Sequence, residues 1–194
     1  MKNTGTLKVT MPTDREIVLT RVFDAPRHLV FDAFTKPELL KRWFGPRGWS
    51  LALCEVDLRV GGTFRFVLRR PDGTEMGMRG VYRQITPPES SVHMESFDDY
   101  PGESQVSTAL VERGGQTTLT ATVLYPSKEV RDAVINSGME HGAAESYDKL
   151  AELLPSIPAR ENSEHRPVAA LHTKSTADHP GRCPISVNIM ELSF

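Results

Sequence analysis

His141 and Glu145 stand four residues apart in the run MEHGAAESYDKLAELL, close enough on one helix face to share a metal ion or relay a proton. A zinc site needs at least a third protein ligand, and none lies in the sequence neighbourhood. A solvent-facing ion pair is therefore the plainer reading. No HExxH, no phosphate-binding GxxxxGK[ST] and no dinucleotide-binding glycine pattern after a strand occurs in the chain. A GxSxG nucleophile elbow is missing too. Cys54 falls in the middle of an apolar run, where a thiol is a small inert hydrophobe. Glu95, Tyr82 and Ser146 are scattered polar candidates that name no reaction, so no catalytic residue, metal site or cofactor is expected. His165, His172 and His179 recur every seven residues. A polar tail gives them nothing to hold a ligand geometry.

The more promising residues are apolar. Trp43, Phe44 and Trp49 bracket Gly45-Pro46 in a turn. They either anchor neighbouring helices on a sheet or wall the entrance of a pocket, where a rigid ring can stack on a flat ligand. Phe64, Phe66, Met78, Met94 and Met139 face inward if strand and helix periodicity hold. Methionine would let such a lining accept varied shapes, although plain core packing explains the same residues.

What must position them is a long helix. Across Ser127 to Leu154, Ile135, Met139, Gly142, Ser146, Leu150 and Leu153 recur at helical spacing on one face. Ser127 is placed to cap it and Pro155 ends it. If continuous it makes a rod of about 42 Å. Its middle carries Gly138, Gly142, Ala143 and Ala144 where a packed core would want bulk. Each glycine costs about 1 kcal/mol relative to alanine. Close packing, a kink near Gly138 or a space left unfilled would each account for them.

Upstream, Arg15 to Asp24 alternates as a strand, and Arg27 to Thr35 and Glu38 to Phe44 form two short helices broken at Lys36-Pro37. Six further strands follow, over Trp49–Leu58, Thr63–Arg70, Glu75–Thr86, Ser91–Phe97, Gln105–Glu112 and Gln116–Tyr125. Gly61-Gly62, Pro71-Asp72-Gly73 and Arg113-Gly114-Gly115 make the tight turns. The expectation is an α+β fold: a curved seven-stranded antiparallel sheet around one long C-terminal helix, with two short helices between strands 1 and 2. A curled sheet and one slim rod leave a hollow between them, which favours the unfilled-space reading of the small residues.

The chain has 194 residues, 39% of them apolar and 25% charged, with a formal net charge of −2. One buried domain (15–154) is expected between a polar lead-in (1–14) and a low-complexity tail (155–194), read as disordered except where PISVNIMELSF could pair with a sheet edge. Interspersed charges argue against nucleic acid as a partner. Two cysteines build no disulfide framework, and the N-terminus lacks the apolar core of a signal peptide, so a cytoplasmic location is expected. No apolar run approaches the length of a membrane span.

Segments TRVFDAPRHLVFDAFTKPELLKRWFGPRGW, DLRVGGTFRFVLRRPDG, GVYRQITPPESSV and SGMEHGAAESYDKLAELL resemble the START-like superfamily, also called SRPBCC or birch-pollen-allergen-like. Within it they are most similar to the branch named after the activator of Hsp-90 ATPase, over about residues 15 to 154. The resemblance implies a helix-grip fold with a deep apolar pocket between sheet and helix. One departure is Ala143, where members of this branch commonly carry a bulky aromatic. The implied function is binding of a small hydrophobic molecule or lipid, lined by Trp43, Trp49, Phe64, Phe66, Met78, Met94, Ile135, Met139, Ala143 and Ser146. The branch name implies an alternative, a co-chaperone module stimulating an Hsp-90-type ATPase in a stress response. Superfamily relatives also imply a cyclase or hydrolase using the same cavity. A homodimer is compatible with all three.

Overall fold

A computed structural model describes residues 7–100 and 102–158. The lead-in before residue 7 and most of the tail, with His165, His172, His179, Cys183 and the C-terminal PISVNIMELSF, lie outside the described residues.

The strands are β1 (Lys8–Thr10), β2 (Glu16–Phe23), β3 (Ser50–Val56), β4 (Thr63–Arg69), β5 (Glu75–Thr86), β6 (Ser90–Phe97), β7 (Ser104–Arg113) and β8 (Gln116–Leu124). They form one antiparallel sheet in the order β1-β2-β8-β7-β6-β5-β4-β3. Two short helices, α1 (Arg27–Thr35) and α2 (Pro37–Trp43), sit between β2 and β3. The chain then closes with α3 (Lys128–Asn136), α4 (Met139–Leu153) and a single 3-10 turn. The fold expected from sequence is present with an eighth strand. That strand is the short β1 in the supposed lead-in, where Val9 pairs with Leu19. Three residues are too few to show alternation.

The long helix is two helices. Ser137 ends α3, and Gly138 takes φ 79°, a left-handed conformation that costs glycine little and alanine more. A side chain there would meet nothing within 4 Å, so backbone conformation and not crowding explains Gly138. Gly142 is different. An added Cβ would lie 3.4 Å from the Pro46 ring, an ordinary contact, so α4 rests on the α2–β3 loop there and neither space nor backbone demands glycine.

Register defines the face that the helices cover. Phe64 pairs with Gly80 and Gly80 with Glu95, while Phe66 pairs with Met78 and Cys54 with Phe66. These residues therefore share the inner face with Tyr82, His93 and Val106. Gly80 is needed because the Phe64 ring occupies the space a Cβ would take. The core is continuous from Ile17, Leu19 and Phe23 through Leu119 and Val123 to Tyr147, Leu150 and Leu153 of α4.

Polar contacts fix the last segment. Lys149 Nζ donates to the Gly45 carbonyl at 3.0 Å, and the Arg47 backbone N–H donates to Glu145. Arg21, only 3% exposed, reaches from the inner face of β2 to Asp148 at 2.7 Å, and its Nε has no partner among the described residues. Removing Asp148 strands a buried guanidinium. Asp148→Asn is expected to cost about 1–2 kcal/mol in urea unfolding, and Arg21→Met with Asp148→Asn to cost less than the two single changes added. Additive losses would mean the pair does not hold α4.

Cys54 is buried in the inner face, and burial pushes its thiol up to about 11. With Cys183 changed to serine, iodoacetamide at pH 8 should leave Cys54 unmodified in the folded chain and alkylate it in urea. Alkylation of the folded chain at the rate of a free thiol would contradict this burial.

Candidate functional site

Between the sheet and the closing helices, burial is uneven. The lower half of α4 is sealed, with Ser146, Tyr147, Leu150 and Leu153 buried. The upper half is not. Val130, Val134, Ile135 and Met139 pack against the core yet stay partly exposed, and so do Gly142, Ala143 and Ala144. Every residue of β6 is partly exposed too, although β6 lies inside the sheet between β5 and β7. On its inner side the His93 and Glu95 side chains are 17% and 14% exposed, so they are covered less fully than the neighbouring Phe64, Tyr82 and Val106.

The sequence candidates divide between the sealed and the partly exposed regions. Trp43 is 1% exposed and donates its indole N–H to the Ala33 carbonyl at 2.9 Å. Its ring meets Phe34 at 4.8 Å and Phe44 at 5.6 Å, so it anchors α1 to α2. Trp49 is half-exposed, and the Arg70 guanidinium lies over its ring at 4.5 Å. Phe64, Phe66 and Met78 are buried on the inner face, while Ile135, Met139 and Ala143 are on the half-covered helices. The Ser146 hydroxyl donates to the Gly142 carbonyl at 2.8 Å, within its own helix. Met94 is a correction. It pairs with Val81 and Gln105, one residue out of phase with Glu95, and so lies on the outer face. Alternation in Ser91-Val92-His93-Met94-Glu95 had suggested that the apolar residues turn inward; the register turns them outward.

That reversal brings together residues the sequence left scattered. His93 Nε2 and Glu95 Oε2 lie 3.3 Å apart on the inner face, with side chains 17% and 14% exposed. The His93 ring stands edge-on to Phe64 at 5.2 Å and to Tyr82 at 6.0 Å. Burial pushes the Tyr82 hydroxyl up to about 12. Burial also raises Tyr125, at the foot of α3, and Tyr147 of α4, and the Glu95 charge adds to both. Glu95 thus faces the closing helices. The only sequence signal for this was the polar phase of β6, which reads as a solvent face.

His141 and Glu145 form an exposed pair at 3.5 Å. Among the described residues, no group of three or more His, Cys, Asp or Glu could hold a metal ion, and no helix is long and apolar enough to cross a membrane. A separate, open depression of about 510 Å³ is lined by Arg79, Asp98, Asp99, Tyr100 and Glu103 at the β6–β7 turn. Arg65 and Arg79 pair with Asp98 there at 2.5 and 3.2 Å, and the Arg65 hydrogen bonds hold the Asp98 carboxyl below its usual range.

Solved structures share this architecture. A Rhodobacter sphaeroides protein superposes with a TM-score of 0.75 at 30% identity, over 78% of this chain and 99% of its own. A Nitrosomonas europaea protein gives 0.68 at 27%, over 75% and 97%. The Silicibacter pomeroyi AHSA1 protein gives 0.61 at 23%, over 73% and 98%, a likeness of fold alone. No curated protein matches the chain. The sequence model of the activator of Hsp90 ATPase homolog 1-like proteins matches residues 24–155, from the start of the helix pair to the end of α4, and the chain belongs to that family.

Proposed function

We propose that the domain binds a small hydrophobic molecule between the inner face of β5–β6 and the half-covered helices α3 and α4. The observation that carries this is the incomplete cover over β6. A structural core would seal its central strand, because each buried apolar side chain contributes about 1.5–3 kcal/mol over an exposed one. Phe64, Phe66 and Met78 supply the floor, and Ile135, Met139 and Ala143 the roof. Trp43 supports the helix pair. Membership of a START-like family supports the same reading at a general level.

Ala143→Trp tests it. The variant should keep its secondary structure by circular dichroism and lose the rise in melting temperature that an apolar ligand, such as octan-1-ol, gives the unaltered protein. Unchanged stabilisation would place the ligand elsewhere. A second reading, an interaction module that stimulates an Hsp90-type ATPase, is supported by the family description alone. Unchanged ATP turnover when the protein is added to such a chaperone would remove it.

A further inference from the structure

We propose that His93 and Glu95 form the polar end of this pocket, and that its ligand is an apolar molecule carrying a hydrogen-bond donor, a hydroxyl or an amine, where it meets them. The inference rests on the pocket reading and adds the chemistry of the ligand's head.

The first observation is the inverted phase of β6. Val92 and Met94 face outward, and Ser91, His93 and Glu95 face inward. A strand serving only as core wall gains by the opposite arrangement, since burying a charged or polar group without partners costs several times what an apolar side chain contributes. Breaking the local rule at a central strand whose every residue is partly exposed marks a built feature.

The second observation is unspent hydrogen-bonding capacity. A carboxylate offers about four lone-pair sites. Glu95 uses one, toward His93 Nε2 at 3.3 Å, and His93 is its only ion-pair partner among the described residues. His93 Nδ1 is buried with no partner among them. In the neutral tautomer that donates Nε2–H to Glu95, Nδ1 carries a lone pair, and the pair then offers only acceptors to a ligand. Phe64 and Tyr82 brace the imidazole on two sides and fix the direction in which the pair points.

The third is the sign of the field. Burial first, and the Glu95 charge second, hold the Tyr125 and Tyr147 hydroxyls above their usual range, so Glu95 is a negative charge felt on the inner side of the sheet. Arg21, a buried cation on the inner face of β2, is committed to Asp148. An anionic head would meet Glu95 with no compensating cation, whereas a hydroxyl or ammonium would complete its hydrogen bonding.

Octan-1-ol, octylamine and octanoate share one chain and differ in head group. By calorimetry near neutral pH, the alcohol and the amine should bind at least about tenfold more tightly than octanoate, the ratio a charge-assisted hydrogen bond is worth. Glu95→Gln should bring the three within about threefold of one another, with the amine losing most. If Glu95→Gln does not fold, Glu95→Asp serves instead: withdrawing the carboxylate by one methylene should weaken the amine while octanoate stays excluded. Should all three probes bind alike, or Glu95→Gln leave their order intact while Ala143→Trp blocks them, the head-group assignment is overturned and the pocket stands. Should none of the three bind the unaltered protein, the pocket reading falls and takes the assignment with it.

Discussion

Trp43 ties the helices to the sheet through a run of touching rings. Tyr147 of α4 lies 6.1 Å from Phe34, Phe34 is 4.8 Å from Trp43, and Trp43 is 5.6 Å from Phe44. From Phe44 the run passes to Phe66 at 5.2 Å and on to Phe64 at 5.0 Å. Each edge-to-face or tilted pair adds about 0.5–1.5 kcal/mol to the burial of large rings. The run also joins the last helix to the first helices and to strands from the far side of the sheet. Without it, α1 and α2 would be two short helices with little reason to persist. The indole hydrogen bond to Ala33 fixes the ring's orientation, which burial alone would not.

Because this spine fills the region beneath α1, α2 and the lower half of α4, the partly exposed residues fall on the upper half of the closing helices. The spine ends at Phe64, whose ring fills the space above Gly80 and touches His93. Apolar filling and polar pair are therefore adjacent. The aromatic floor that supports the fold also braces the imidazole.

The sequence made most of the architecture legible because its signals were local. Turns such as Pro71-Asp72-Gly73 announced strand ends, Pro37 separated two helices, and alternation placed Phe64 and Phe66 on one face. The site was less legible because it depends on relations between strands. A single strand cannot say which of its two faces turns inward when one is polar and the other apolar. The choice for β6 is set by pairing with β5, through Gly80 and Glu95. That is why Met94 was misplaced and His93 passed over. The small residues of the final helix misled in another way. Gly138 and Gly142 looked like one feature, yet one serves a backbone turn and the other only lies beside Pro46, where a Cβ would also fit. The partial exposure of β6 has reasons those two glycines do not supply.

The turn at Gly138 also divides the anchoring of the closing segment. On its far side, Arg47, Lys149 and Arg21 hold α4 to the α2–β3 loop and to β2. On its near side, Arg131 Nη1 donates to the Thr13 carbonyl at 2.9 Å and ties α3 to the connection before β2. The two helices thus hang from different parts of the scaffold. Substitutions around Thr13 or Arg131 can therefore shift α3 while the seated lower half of α4 keeps its register, so the two helices are free to diverge separately among descendants of one gene.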